Sequence, residues 1–252
     1  MTNDRTYEIP RVPPKWGDDP LSKFIQDSID NTYASFHNLK SLYGRLVDIH
    51  VAFRTIANNI DRTPDWFASF FLFRSHAAYL GAVRLALSGQ VPEAYIVLRG
   101  CLENALYGFY VARKPSTQEI WLRRHDDAES KKKVKGEFKL SNLLGLLAVE
   151  DEQLRRIAGD LYETTIDFGG HPNERAILSV MKQQLDESKR TYQSAYMIGN
   201  EPPLHCSLEC CAQIGVCALS IFQRIYPERF DILGLSNQLR GLKECLEKKC
   251  KP

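Results

Sequence analysis

Arg99 and Glu103 stand four residues apart in A-Y-I-V-L-R-G-C-L-E-N-A-L-Y-G-F-Y, a stretch that is apolar almost all round. On a helix that spacing puts both on one face, where they can pair. A charge set in such a helix needs a partner, because a bare buried charge is costly. Two arrangements satisfy it: a structural ion pair bridging helices, or a polar site lining a cleft. In a cleft, the arginine fork would hold a carboxylate or phosphate through parallel hydrogen bonds while Glu103 orients it. Asn104 adds a third polar group.

Further candidates come from histidines and arginines in apolar surroundings. Arg74 and His76 interrupt the preceding apolar stretch. Two residues apart on a helix, they point in different directions, so at most one faces a site shared with Arg99 and Glu103. His171 follows Gly169-Gly170 and precedes Pro172. A histidine on such a turn can act as acid or base near neutral pH, or simply cap a helix. His205, Cys206, Cys210, Cys211 and Cys217 invite a zinc reading. One apolar helix cannot wrap a metal alone, however, and buried thiols behave as small hydrophobes. No metal or cofactor is expected. The run from Arg123 to Lys139 carries seven Lys/Arg against four Asp/Glu. With acidic residues interleaved, it reads as a solvated helix face rather than a phosphate-binding stripe.

The common catalytic signatures are missing from the sequence: no G-x-G-x-x-G, no G-x-x-x-x-G-K-[ST], no G-x-S-x-G, no H-E-x-x-H and no C-x-x-C. A net charge of +2 over 252 residues gives no global field toward nucleic acid or acidic membranes. The N-terminal residues lack the basic and apolar regions of a signal peptide. A cytoplasmic location with reduced thiols is therefore expected for the seven cysteines. No uncharged apolar run reaches the ~20 residues that span a bilayer.

These residues must be positioned by helices. Residues 1–20 hold Pro10, Pro13, Pro14 and Pro20 and read as an extended arm, with Trp16 available to pin it to the body. Residues 21–252 read as one helical domain. Three-to-four spacing from Phe24 to Phe53 predicts a long amphipathic helix bent at Gly44. Thr63-Pro64 predicts a helix start, Gly89 its stop, and Val91-Pro92 the next start, with the helix ending before Lys114-Pro115. Ser116-x-x-Glu119 matches a capping box. One or two helices follow between Ser141 and Phe168, one from Pro202 to Tyr226, and a short one from Leu235. Residues 176–198 fit either a small β-hairpin or an irregular helical excursion. The expected class is all-α, a single bundle of about seven helices.

Leu98-Arg99-Gly100-Cys101-Leu102-Glu103, followed by Tyr162 and Gly170-His171-Pro172, resembles a group of uncharacterised bacterial α-helical proteins that pair an L-R-x-x-x-E helix with a downstream histidine. That group is distantly similar to the HEPN superfamily of helical bundles, which includes toxin and phage-defence ribonucleases. The resemblance covers residues 65–175. HEPN ribonucleases carry R-x(4–6)-H on one helix. Here Arg74-Ser75-His76 and Arg123-Arg124-His125 are spaced too closely for that motif. The resemblance implies a bundle with a polar cluster at Arg99, Glu103 and His171, without the nuclease chemistry.

The leading expectation is a non-enzymatic binding or interaction protein with a polar cleft for an anionic ligand or partner. Its lining would be Arg99, Glu103, Arg74 or His76, and His171. The alternative is a metal-independent, HEPN-like RNase, with His171 as base or acid and Arg99 stabilising phosphorane charge. The partner is a small anionic ligand, RNA or a protein, not a membrane, and homo-dimerisation is left open.

Overall fold

In the computed structural model, residues 12–170, 174–186 and 189–249 are described. The chain is all-α apart from one hairpin, and its elements are numbered in chain order. Asp19 opens α1 (Pro20–Asn38), its carboxylate accepting from the amides of Leu21 and Ser22 while Pro20 occupies the first turn. Trp16 is tied to this helix, its indole N–H donating to Gln26 Oε1 at 3.1 Å. The long helix predicted across 21–60 is two helices. Leu39 leaves the helical region at φ −119°, ψ 38°, and α2 (Lys40–Ala57) starts directly after it. The break falls there, not at Gly44, which lies inside α2 and is exposed. Splitting at Leu39 lets α2 bury Leu42, Leu46, Ile49, Phe53 and Ile56 along one side.

The next two helices form the closest pair in the fold. α3 (Trp66–Leu87) and α4 (Val91–Arg113) run antiparallel, and the Ser75 hydroxyl donates to the Cys101 carbonyl at 2.8 Å in the buried seam between them. Pro64 lies in the turn before α3 rather than in its first turn. Gly89 stops α3 as predicted. At φ +83° it occupies backbone space that side chains rarely adopt, and its carbonyl accepts from the Ile198 amide at 2.8 Å.

Short helices follow. Pro115, not Ser116, stands at the start of α5 (Ser116–Leu122), so the predicted capping box does not form. A 3₁₀ turn (Arg123–His125) leads to α6 (Ala128–Glu137), where Val134 is buried beneath largely exposed lysines. This is the solvated face expected for the basic run. α7 (Leu140–Glu150) and α8 (Glu152–Thr165) are joined at Asp151, which caps α8 through the Leu154 amide. A π turn (Ile166–Gly170) extends α8. After α9 (Glu174–Leu178), β1 (Met181–Asp186) pairs antiparallel with β2 (Lys189–Ser194), Met181 opposite Ser194 and Asp186 opposite Lys189. Of the two readings of residues 176–198, the hairpin is the one found.

α10 (Pro202–Ile225) crosses the bundle and packs on α2, α3, α4, α8 and α12. α11 (Pro227–Ile232) and α12 (Leu235–Lys249) close the chain. Buried hydroxyls fasten the helices: Tyr79 of α3 donates to the Leu46 carbonyl of α2 at 3.0 Å, and Tyr226, at the end of α10, donates to the Asp65 carbonyl at 3.0 Å. Among the described residues only α10 is long and apolar enough to cross a membrane, and 78% of its most apolar window is buried inside the protein.

Candidate functional site

Arg99 and Glu103 occupy successive turns of α4 and pair, Nε to Oε1, at 2.8 Å. Tyr162 of α8 completes the cluster: its hydroxyl donates to Glu103 Oε1 at 3.1 Å, and its ring lies 5.2 Å from the Arg99 guanidinium carbon. The two charged side chains are 31% and 35% exposed, so the pair is neither a buried strut nor a free surface contact. It belongs to one helix rather than bridging two, and Tyr162 supplies the link between helices.

The electrostatics follow from this geometry. Burial works against the Arg99 charge, but the hydrogen bond and negative charge of Glu103 outweigh it and raise the pKa further. Burial, followed by the Glu103 charge, raises the Tyr162 phenol. The same two effects raise Tyr107, one turn beyond Glu103, with Arg124 acting in the opposite direction. Tyr107 thus feels both the Glu103 carboxylate and the Arg124 guanidinium. Asn104 takes no part in it, because its amide donates back to the Gly100 carbonyl at 2.6 Å.

The other expected residues lie elsewhere. His76 faces α2, where its Nε2 is 2.9 Å from His50 Nδ1 and its ring stacks on Phe53 at 5.1 Å. Burial, and then the neighbouring His50, depress its pKa to about 4. Arg74 is exposed on α3 and makes no ion pair among the described residues. The structure therefore gathers Arg99 and Glu103, and leaves His76 in a separate cluster. His171 lies outside the described residues, with Pro172 and Asn173. The chain leading to it is fixed by Phe168, whose ring stacks on Tyr95 at 5.4 Å, one turn before Arg99 on α4.

Three features escaped the sequence reading. His50 joins His76 across two helices, and it follows Arg45 on α2 at the R-x(4)-H spacing, a match that the spacings weighed at Arg74 and Arg123 passed over. Arg45 of α2 is 8% exposed and pairs with Glu209 of α10 at 2.5 Å. An open groove of about 650 Å³ lies between α8, α10 and α12, lined by Leu154, Leu161, Val216 and Leu246, with Asp160 and Lys243 at its edges. None of the expected site residues lines that groove. Among the described residues no three potential metal ligands gather. Cys101, Cys210 and Cys217 are buried, and burial pushes their thiols up to about 12.

No protein-family profile, curated protein or solved structure matches this chain. The chemistry of the Arg99 cluster therefore has to be judged from its own geometry. It offers a partly exposed guanidinium, oriented through Nε by Glu103 and backed by the Tyr162 ring. Such an arrangement can receive a planar or tetrahedral oxyanion.

Proposed function

We propose that this chain is a cytoplasmic helical binding protein that takes an anionic group, a carboxylate or a phosphate, on the Arg99 guanidinium. The observation that carries this reading is the Arg99–Glu103–Tyr162 cluster: a partly exposed arginine held in one orientation by two side chains from two helices. Glu103 fixes the fork and Tyr162 backs it. A pre-set guanidinium loses less freedom on binding than a free surface arginine does.

Inorganic phosphate and a short oligoribonucleotide are the probes. Each is expected to raise the melting temperature of the wild type. Arg99→Leu should abolish that shift, and Lys23→Ala, exposed on α1, should keep it. A charge-assisted hydrogen bond contributes about 1.5–3 kcal/mol, so the affinity loss should be tenfold or more. Bulk RNA incubated with the protein in EDTA should stay intact. Cleavage that disappears in His171→Ala would replace this reading with the HEPN-like nuclease.

A further inference from the structure

α3 buries one side in the bundle and leaves Trp66, Phe70, Phe73, Arg74, Ala77, Leu80 and Arg84 exposed. Arg74 apart, these residues form a single stripe, spaced four, three, four, three and four along the helix. That is the seam spacing of a helix that packs lengthwise against another helix. It is also unusual on an outer surface, since Trp66, Phe70, Phe73 and Leu80 are 58%, 52%, 44% and 42% exposed. The aromatic end is already ordered: Trp66, Phe67 and Phe70 meet edge-on, with centroids 5.7–5.8 Å apart.

We infer that the α3 face is a homodimer interface in which α3 packs antiparallel on α3 of a second copy of this chain. The stripe reads the same in both directions about position 75, as an isologous two-fold contact requires. Reversed on itself, it sets Trp66 against Arg84, Phe70 against Leu80 and Phe73 against Ala77, each pair made twice. The large Phe73 meets the small Ala77, which is how facing positions interdigitate. At the two ends a guanidinium meets an indole, a favourable cation–π pair. Charge agrees with this direction. The turn that leads into α3 carries Asp61 and Asp65 against Arg62, while Arg84 stands near the far end of the helix. Antiparallel packing brings the acidic end of one copy to the basic end of the other, whereas parallel packing would put like with like.

The area agrees as well. Val47 and Val51 of α2 lie on the face that carries His50, which touches α3 through His76, and Ile96 projects from α4. All three are exposed. Taking roughly 100 Å² for each half-exposed aromatic and less for the aliphatics, the face offers on the order of 600 Å² per chain. That approaches the ~800 Å² per partner of a standard interface.

Sedimentation velocity on the full chain at micromolar concentration tests this, with an expected mass of twice 28.8 kDa. Ala77→Glu and Phe73→Glu each change an outward residue and should give a folded monomer by circular dichroism. Phe73→Cys mixed with Ala77→Cys, in a background of Cys206→Ser, Cys245→Ser and Cys250→Ser, should cross-link into a heterodimer under mild oxidation. A wild type that stays monomeric overturns the inference. So does a dimer that survives Ala77→Glu, which would place the contact on another face. So does a monomer that co-sediments with phosphatidylcholine vesicles unless Phe73 is replaced by Glu, which would make the stripe a membrane face.

Discussion

At the scale of single residues, the two histidines of the α2–α3 seam give a pH dependence with a definite sign. His76 is held near a pKa of about 4 by burial and by His50, against an ordinary value of 6.5. Above 6.5 the side chain is neutral in both folded and unfolded chains and contributes no slope. As pH falls from 6.5 toward 4, the unfolded chain takes up a proton that the folded chain refuses, so stability is lost across that window. Urea unfolding should therefore be easier at pH 5 than at pH 7, with a loss on the order of 1–2 kcal/mol from this group. In His76→Gln the slope should flatten, and an unchanged slope would mean that His76 titrates as a free imidazole. The pairing itself was not legible in the sequence, because no spacing rule connects two residues on different helices. Arg99 and Glu103 were legible for the opposite reason: a four-residue interval on one helix fixes their separation.

At the scale of elements, the sequence reading succeeded where a start or stop residue acted alone. Gly89 ended α3 and Pro227 followed α10, because positive φ and a missing N–H are local demands. It failed where tertiary packing decided. The joint at Leu39 has no glycine or proline, and it exists so that α2 can turn its apolar side onto α10. Ser116 looked like a cap but lies one residue inside its helix. The α2–α10 contact also contains the ion pair that the sequence hid. Arg45 Nε and Nη1 are buried with no hydrogen-bond partner among the described residues, so Glu209 is the counter-charge in view. Removing one partner of such a pair leaves an uncompensated charge in the interior. Glu209→Ala should then lower the unfolding free energy by about 3 kcal/mol in urea titrations. Arg45→Met removes the charge together with its requirement, and Glu209 is already 31% exposed, so its loss should stay within about 1 kcal/mol. Equal losses for the two variants would contradict this account.

At the scale of the whole molecule, α4 and α10 form the centre, and the other helices are arranged around them. The Arg99 cluster and the α3 stripe both sit on the outside of that centre, on adjoining helices. The stretch between α8 and α10 has a different character. Chain departure is fixed by Phe168 stacked on Tyr95, and its return by the Ile198 amide on the Gly89 carbonyl. Asn31 of α1 strengthens the return, donating to the carbonyls of Ser88 and Ile198 at 2.8 and 3.1 Å. Both moorings lie on the same short stretch, from the α3–α4 corner to the first turn of α4. Between them Val180 and Ala195 also touch the core, but the described hairpin β1–β2 is an appendix to the bundle rather than one of its beams. Cutting out residues 176–194 and rejoining the ends through a few glycines and serines should give a shorter chain whose helical circular dichroism and cooperative melting persist. By the same logic, lineages can lengthen, shorten or swap this stretch without renegotiating the interior.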